Sequence, residues 1–257
     1  MKAFILAAGN GTRLRPLTET LPKCLVPIRG VPMLQIWLDI CRRYGIDEVT
    51  VNLHSHAGVV RDFLRRCPSP VRVRLFEEET LLGSAGTLRA NREWIAEDEC
   101  FWVFYGDVLT TADLAEMMSF HRTSAKLATL GLYRVSNPQS CGIATVAERG
   151  VIRDFVEKPQ TPAGNLAFSG LMIATSAVLD LIPPACPADI GFHLLPKLVG
   201  RMAGYTISGY VADIGNIEAY AAAQKNWPVQ DLEIKPDPNP EYIYNHSAPD
   251  NFEKKSS

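Results

Sequence analysis

The residues best suited to chemistry lie in a basic, glycine-rich loop close to the start of the chain. This loop follows a short apolar run and contains Gly9, Gly11, Arg13, Arg15 and Lys23. Glycines allow backbone N–H groups to approach a phosphate closely, while guanidinium and ammonium groups supply positive charge. The combination predicts a phosphate-binding loop. The ordinary alternative for a bare Gly-x-Gly pair is a solvated turn.

Two common phosphate-binding fingerprints do not fit this loop. A dinucleotide-binding Gly-x-Gly-x-x-Gly motif that began at Gly9 would need a glycine where the chain has Leu14. A Walker A loop that began at the same residue would also need glycine there. The loop therefore represents a third kind of glycine-rich phosphate site.

An aspartate follows an almost wholly apolar segment in the middle of the chain. This segment, Cys100–Tyr105, is predicted to be a buried strand, and Asp107 comes shortly after it. A carboxylate at the end of a buried strand is costly unless water, a cation or a donor compensates its charge. The alternative is that Asp107 caps a helix predicted over Thr111–His121, a role that Thr110 or Thr111 could also fill.

A second aspartate, Asp213, has a similar setting. A helical pattern over Gly191–Met202, expected to kink at Pro196, leads into a predicted strand Thr206–Val211, and Asp213 follows that strand. A helix predicted over Ile217–Lys225 comes next, so Asp213 could be its N-cap.

Two further motifs stand out, one between the two aspartates and one between the loop and Asp107. Glu157-Lys158-Pro159 follows a predicted strand, although two charges beside a proline are usually a surface turn. The segment Leu81–Leu88 combines two glycines with small residues at the start of a predicted helix. The run Glu77–Glu79 before it is predicted to be a solvated face.

Alternating strands and helices must position these residues. Strands are predicted over Ala3–Ala8, Glu48–Leu53 and Val71–Phe76, and the segments between them carry apolar residues at helical spacing, around Leu34–Cys41 and Val59–Leu64. Such spacing implies parallel strands joined by right-handed crossovers. The sequence thus predicts an α/β fold with a doubly wound, mostly parallel sheet, with the phosphate-binding loop at the carboxyl ends of its strands.

The later half has a different pattern. Strands are predicted over Leu127–Tyr133, Ile143–Val146 and Val151–Phe155 with short connections, and Arg149-Gly150 suggests a hairpin. Because no helix separates these strands, we expect them to be antiparallel and to form a lid over the parallel sheet.

Composition narrows the class of protein. The chain has 257 residues, 47% of them hydrophobic, and its 26 basic and 28 acidic residues leave a net charge of −2. No global field would therefore attract nucleic acid or an anionic membrane. No apolar run has the length of a membrane span, and the start has no signal-peptide pattern. The 6 cysteines form no C-x-x-C pair, which favours reduced, buried thiols in a cytoplasmic protein.

The chain divides into two regions. Residues 1–227 carry all the motifs and are predicted to form one catalytic domain. Residues 228–257 are proline-rich and polar, a composition that cannot build its own core. This tail is expected either to be disordered or to lie as an arm on this or another subunit, which leaves a homo-oligomer open.

The basic loop and the later motifs together resemble the sugar-1-phosphate nucleotidyltransferases. The resemblance is closest to the mannose-1-phosphate guanylyltransferases and covers about residues 1–227. It implies a Rossmann-like nucleotidyltransferase fold in which the antiparallel lid binds the sugar. The matching segments are Leu6–Thr18, Pro22-Lys23, Leu25–Pro27, Leu81–Leu88, Gly106-Asp107, Glu157–Pro159, Phe168–Leu171 and Asp213–Gly215.

The resemblance implies four catalytic residues. Arg13 would hold the leaving β,γ-phosphates and Lys23 the α-phosphate. Asp107 and Asp213 would be the two carboxylate ligands of Mg2+.

The resemblance also implies the binding residues. Lys158 would contact the sugar phosphate, Glu157 the sugar hydroxyls, and Gly170 would lie near the sugar. Two positions depart from the family pattern: Phe168 stands where mannose-type enzymes often have asparagine, and Tyr210-Val211 stands where a tryptophan or phenylalanine commonly precedes the motif of Asp213. The residues implied to bind the nucleotide are Leu6, Ala8, Gly9, Gly11, Thr12 and Gly86.

The implied activity is the transfer of a nucleoside monophosphate from a nucleoside triphosphate (NTP) to a sugar 1-phosphate, with release of pyrophosphate. GTP and mannose 1-phosphate are the first choice. The alternatives are a manno-heptose, glucose or N-acetylmuramate 1-phosphate, with GTP, dTTP or UTP. A regulatory protein that binds nucleotide sugars without turnover is an alternative of another class, and the complete set of charged residues favours the enzyme over it. A glycosyltransferase would be expected to have an Asp-x-Asp metal motif, which Gly106-Asp107-Val108 lacks.

Overall fold

The computed structural model describes residues 1–67, 69 and 71–228. The predicted tail therefore lies outside the described residues, apart from Pro228. The strands are Lys2–Leu6 (β1), Pro27–Ile28 (β2), Val31–Pro32 (β3), Glu48–Leu53 (β4), Arg72–Glu77 (β5), Phe101–Tyr105 (β6), Val108–Thr110 (β7), Ala128–Arg134 (β8), Gly142–Val146 (β9), Ile152–Glu157 (β10), Leu166–Ala174 (β11), Met202–Thr206 (β12) and Val211–Asp213 (β13). The α-helices are Met33–Arg43 (α1), Ala57–Arg66 (α2), Ser84–Ala90 (α3), Leu114–Ser124 (α4), Leu195–Leu198 (α5) and Ile217–Asn226 (α6). Each helix in this described part of the chain is too short or too polar to span a membrane.

A nine-stranded mixed sheet forms the centre of the fold. Its main path runs β10-β9-β11-β6-β1-β4-β5, and β8 pairs with both β11 and β12. Strands β6, β1, β4 and β5 are parallel neighbours, whereas β11 runs antiparallel to β6. The predicted α/β fold is confirmed. The predicted antiparallel strands are present too, but they extend the parallel sheet edge to edge instead of covering it as a lid.

Both faces of the sheet are covered by apolar side chains. Ala3 and Ile5 of β1 belong to one buried cluster and Phe4 to another, because successive residues of a strand point to opposite faces. On the first face, Trp37 of α1 stacks on Phe104 of β6 with ring centroids 4.5 Å apart. This double cover holds the strand ends in fixed positions, and the candidate site is built on those ends.

The helix after β7 differs from the prediction over Thr111–His121. Helix α4 starts at Leu114, because the Asp113 carboxylate accepts hydrogen bonds from the N–H groups of Ala115 and Glu116. The two threonines proposed as caps have other partners. Thr110 accepts from the Ala112 N–H, and Thr111 from the Tyr210 N–H.

The predictions over residues 191–211 were wrong in detail. The predicted helix Gly191–Met202 is a single π-helical turn, Ile190–Leu194, followed by the short α5 with its proline in the first turn. The chain then turns at Gly200, whose φ is +79°, and β12 begins at Met202. The predicted strand Thr206–Val211 is divided between β12 and β13, because the chain leaves β8 and crosses to pair with β7.

Candidate active site

The basic loop leaves the carboxyl end of β1, as predicted. Gly11 has a φ of +61°, and a Cβ there would lie 3.0 Å from the Thr18 side chain. The Thr18 hydroxyl donates a 2.7 Å hydrogen bond to the Gly11 carbonyl, which fixes the turn. A Cβ at Gly9 would meet no atom within 4 Å, so the loop presents bare backbone to open space there. This geometry suits the close approach of an anionic ligand.

The two predicted aspartates lie on neighbouring backbone segments. Asp107 follows β6, and its carbonyl accepts a 2.8 Å hydrogen bond from the N–H of Ile214, the residue after Asp213. The short antiparallel pair β7·β13 creates this approach, with Asp213 opposite Val108. Neither aspartate caps a helix. Asp113 caps α4, the helix that follows Asp107, and the Asn216 side chain caps α6, the helix that follows Asp213. Both carboxylates are therefore available for chemistry.

Basic groups surround the two carboxylates. Lys23 Nζ forms an ion pair with Asp107 Oδ2, and its side chain is only 11% exposed. A Cβ at Gly215 would lie 3.0 Å from Asp213 Oδ1 and 3.3 Å from Arg13 Nη2. The absence of a side chain at Gly215 thus leaves room for Arg13 beside Asp213.

The charge at Asp213 is only partly compensated. Desolvation raises the pKa of Asp213 above its ordinary value, and the nearby Asp107 raises it further, whereas Lys23, Arg13 and Lys158 oppose the shift. The Asp213 side chain is exposed to a neighbouring cavity on one side, and its desolvation comes from the protein on its other sides. Asp213, whose ionised form is disfavoured, lies beside a second carboxylate, and such a pair suits a divalent cation.

A cation at this point would have few protein ligands. Among residues 1–67, 69 and 71–228, no cluster of three or more His, Cys, Asp or Glu side chains could hold a metal ion. Mg2+ is typically bound by one or two carboxylates together with substrate phosphates and water. Asp107 and Asp213 match that donor set.

Two cavities meet at Asp107. The larger has a volume of about 800 Å3 and the smaller about 470 Å3, and both are lined by Tyr105, Asp107 and Asp189. The predicted site residues that line the larger cavity are Arg13, Asp107, Glu157, Lys158, Gly170 and Asp213. Those that line the smaller cavity are Leu6, Ala8, Gly9, Lys23 and Asp107. The structure thus brings most of the predicted site residues to one continuous cleft.

Three predicted nucleotide-binding residues lie elsewhere. Gly11 and Thr12 shape the turn behind Gly9 and are not on the wall of either cavity. Gly86 is buried inside α3, where its N–H donates a 3.0 Å hydrogen bond to the Ala188 carbonyl. The α3 segment reaches the smaller cavity through Gly83 and Ser84 instead.

The larger cavity has an acidic and aromatic wall. Glu157 is half-buried between Gly142 and Gly191, where a Cβ at either glycine would overlap its carboxylate. Burial raises the pKa of Glu157, Asp189 adds to the shift, and Lys158 opposes it. Lys158 Nζ lies 5.7 Å from the centre of the exposed Phe192 ring, and Phe168 packs edge-on against Tyr105.

Gly170 allows β11 to bend beside this wall. It has a φ of +83°, and a Cβ there would lie 2.9 Å from Tyr105 Cβ. The strand register shifts between Phe168 and Met172, as expected for a bulge.

Sequence reasoning missed two acidic residues of the cleft. Asp189 accepts a 2.9 Å hydrogen bond from the Ser84 hydroxyl and a 3.1 Å bond from the Phe192 N–H. Glu78, predicted to lie on a solvated face, is 6% exposed and lines the smaller cavity. Neither an isolated acidic residue such as Asp189 nor one within a run such as Glu77–Glu79 signals such a position in the sequence, because its partners come from other segments.

The fold and the cleft define an α/β protein with basic groups and paired carboxylates at the carboxyl ends of its central strands. A family model described as Nucleotidyl transferase matches residues 2–229. The chain therefore belongs to the nucleotidyl transferase family.

Several known nucleotidyltransferases are similar to this chain, in sequence or in fold, over most of its length. It is 32% identical over 227 residues to mannose-1-phosphate guanylyltransferase 1 of Arabidopsis thaliana, which covers 86% of this chain and 63% of that protein. It is 31% identical over 262 residues to a UTP–glucose-1-phosphate uridylyltransferase of Synechocystis sp., covering 92% of this chain and 68% of that protein. The solved structure of HddC from Yersinia pseudotuberculosis has the same fold, with a TM-score of 0.76, 23% identity and coverage of 88% of this chain and 99% of that one. The chain thus spans about 63% of the length of the Arabidopsis guanylyltransferase.

Proposed function

We propose that the protein is a sugar-1-phosphate nucleotidyltransferase. The observation that carries the proposal is the position of Asp107, which lines both cavities and pairs with Lys23 beside Asp213. A nucleotide in the smaller cavity and an acceptor in the larger one would meet at this point. Membership of the nucleotidyl transferase family supports the same reaction class.

The chemistry requires positioning and charge more than acid–base groups. An oxygen of the acceptor phosphate, already an anion, attacks the α-phosphorus of the NTP, and the bond from that phosphorus to the β-phosphate oxygen breaks in line. Pyrophosphate leaves, and the nucleotide sugar remains. The protein must therefore hold two polyanions together.

We assign the basic residues to the three phosphate positions of this reaction. Arg13 lines the larger cavity beside Asp213, so its planar guanidinium would hold the β,γ-phosphates where the triphosphate extends past Asp107, and Lys23 holds the α-phosphate. Lys158 holds the acceptor phosphate, and Glu157 beside it accepts hydrogen bonds from the acceptor's hydroxyls. We propose Mg2+ as the cation of Asp107 and Asp213, where it would supply Lewis-acid stabilisation of the phosphate charge.

For the substrates, we propose GTP and mannose 1-phosphate. The name of the Arabidopsis relative supports this pair.

UTP with glucose 1-phosphate is the second candidate pair. The Synechocystis relative bears that name. Phe168 in the larger cavity also lacks the amide expected of mannose-type enzymes. Manno-heptose and N-acetylmuramate 1-phosphates, and dTTP, complete the set to be tested.

We further propose a cytoplasmic protein whose substrates are small molecules. The near-balanced charge supports small-molecule partners over nucleic acid. The cysteines are thiols outside any disulfide, which supports a reducing compartment. Cys24, Cys41 and Cys100 are buried as predicted, whereas Cys67 and Cys141 are half-buried and Cys186 is exposed.

A pyrophosphate-release assay tests the proposal. The purified chain is incubated with Mg2+, each of GTP, UTP, dTTP, CTP and ATP, and a panel of sugar 1-phosphates. We expect release that depends on both substrates, with GTP and mannose 1-phosphate giving the highest kcat/KM. A chain that binds nucleotide sugars without releasing pyrophosphate with any pair would instead be the regulatory protein.

A further inference from the structure

Polar side chains form a buried seam between the sheet and α3, next to the smaller cavity. An apolar helix–sheet contact would be expected here, as on the rest of that face. The members of this polar seam, each at most 6% exposed, are Thr50, Asn52, Glu78, Thr87 and Asn91. Polar groups buried this deeply must find partners in the protein, so their hydrogen bonds indicate what the seam connects.

Asn52 is the member that connects the most segments. Its Oδ1 accepts a 2.7 Å hydrogen bond from the N–H of Ala7, the first residue of the phosphate-binding loop. Its Nδ2 donates to Glu78 Oε1 at 2.8 Å and to Thr87 Oγ1 at 3.1 Å. The side chain therefore joins the loop, the end of β5 and helix α3.

Glu78 continues the connection to the start of α3. Its Oε1 also accepts from the Thr87 hydroxyl at 2.5 Å, and its Oε2 accepts from the Leu82 N–H at 2.9 Å. Leu82 directly precedes Gly83, which lines the smaller cavity. An unbroken chain of hydrogen bonds thus runs from the phosphate-binding loop to the opposite wall of that cavity.

The orientation of the Asn52 amide is determined by its neighbours. The Ala7 N–H can only donate and the Glu78 carboxylate can only accept. One end of the Asn52 amide must therefore accept a hydrogen bond and the other must donate one. Asparagine meets both requirements at once. Aspartate, of nearly the same shape, would direct an acceptor at the Glu78 carboxylate.

We propose that Asn52 is a positioning residue that holds the phosphate-binding loop and the start of α3 as one unit around the NTP. The inference rests on the proposed function, because it assigns the smaller cavity to the nucleotide. Asn52 lines the smaller cavity, but both polar atoms of its side chain are engaged by Ala7, Glu78 and Thr87, so it acts through these partners and not on the reacting atoms. Breaking its link to Glu78 weakens NTP binding and leaves the acceptor half of the cleft unaffected.

The test uses four variants of the full chain. Asn52→Asp keeps the acceptor for Ala7 and breaks the link to Glu78, and Glu78→Gln breaks it from the other side. The double variant N52D/E78Q restores a donor–acceptor pair with reversed direction, because the new amide can donate to the new carboxylate. Asn91→Asp is the matched control, since Asn91 lies in the same seam beyond the last residue of α3 and bonds to Thr87 O and Arg74.

Steady-state kinetics give the first readout. We expect Asn52→Asp to raise the KM for the NTP about tenfold, as for the loss of a buried hydrogen bond, while the KM for the sugar 1-phosphate changes less than about twofold. The double variant should recover most of the loss, and Asn91→Asp should keep the wild-type NTP KM. Equal changes in both KM values, no recovery in the double variant, or the same NTP defect in Asn91→Asp would overturn the proposal.

Amide hydrogen exchange of the substrate-free protein gives a readout independent of activity. Asn52→Asp should raise exchange both in segment 7–16 and in segment 79–88, and the double variant should restore protection in both. Faster exchange in only one of them would contradict a shared unit. A wild-type chain without turnover would refute the proposed function, and exchange would still decide the role of Asn52. Should Asn52→Asp fail to fold, Glu78→Gln and its recovery in the double variant decide the outcome by the same criteria.

Discussion

At the level of single residues, two arginines of the basic loop allow the effect of a guanidinium inside the cleft to be distinguished from the effect of the loop's overall positive charge. Arg13 lines the larger cavity and lies beside Asp213, whereas Arg15 lines neither cavity. Arg13→Ala should lower kcat/KM about 100- to 1,000-fold, as for other groups that stabilise transition-state charge. Arg15→Ala is the matched control and should stay within about threefold of wild type if global charge is unimportant. Equal losses in the two variants would show that the loop acts only through its net charge.

Glu157, which we propose to bind the acceptor's hydroxyls, illustrates the stability cost of a half-buried carboxylate. Burial and Asp189 raise its pKa, so the folded protein binds this proton more tightly than the unfolded chain does. The ionised side chain therefore lowers stability at neutral pH, and the penalty disappears as the pH falls below the ordinary glutamate range.

Glu157→Gln should consequently raise the melting temperature by a few degrees at about pH 7.5 and leave it unchanged at about pH 4. The same variant should raise the KM for the sugar 1-phosphate about tenfold, because a charged acceptor is lost. Melting curves at both pH values, with the exposed Glu148→Gln as control, measure the first effect. A Glu157→Gln variant that is less stable than wild type at neutral pH would contradict the assigned direction.

At the level of helices and strands, the start of α4 allows a structural aspartate to be compared with one proposed to act in the reaction. Asp113 caps α4 with two hydrogen bonds, while Asp107 caps no helix and lines both cavities. Asp113→Ala should cost about 1 kcal/mol of stability, or roughly 2–4 °C in melting temperature, with turnover nearly unchanged. Asp107→Asn should have the opposite profile, with turnover reduced about 100- to 1,000-fold in a normally folded protein. Thermal melts and pyrophosphate-release rates on the same preparations provide the comparison.

The sequence was most informative where neighbouring residues determine the structure. The apolar runs that became β1, β4 and β6 predicted their strands within one or two residues, and the basic loop lies where parallel topology requires it. Asp107 and Asp213 were singled out because each comes shortly after a predicted strand and because the motifs around them resemble those of the sugar-1-phosphate nucleotidyltransferases. Local pattern was sufficient for the strands, whereas the two aspartates needed the resemblance as well.

Long-range contacts explain what the sequence did not reveal. The hydrogen bond from Ser84 to Asp189 joins positions 105 residues apart, and the one from Asn52 to Glu78 joins positions 26 apart. The apolar pattern around Tyr205 is compatible with one strand or with two. It is divided into β12 and β13 only because the first pairs with β8 and the second with β7. Such partners depend on the assembled sheet and leave no periodic signal.

In the whole molecule, the sheet changes from parallel to antiparallel pairing at β6. This strand is parallel to β1 on one side and antiparallel to β11 on the other. The smaller cavity lies at the ends of β1, β4 and β6, and the larger cavity is lined by residues of β8, β10 and β11. Asp107, which follows β6, is at the border of the two, so the topology itself explains why one carboxylate faces both.

If the smaller cavity binds the nucleotide as proposed, we expect that binding to depend on a cation. A triphosphate in the smaller cavity would approach Asp107 and Asp213, whose charges repel it unless a divalent ion lies between them. At about 100 times its Kd, an NTP with Mg2+ should stabilise the protein by about 2.7 kcal/mol, or roughly 5–10 °C in melting temperature. A chelator should remove most of that rise.

Asp213→Asn provides the internal check on the source of the metal dependence. With one carboxylate neutralised, the repulsion is weaker and the metal is held less well, so the NTP-induced rise should be smaller and should respond less to the chelator. Melting curves of both proteins with NTP, with and without Mg2+, and with Mg2+ alone, measure this. A wild-type shift that persists in full with a chelator would show that the basic loop binds the triphosphate without a cation, and would remove the metal role assigned to the two aspartates.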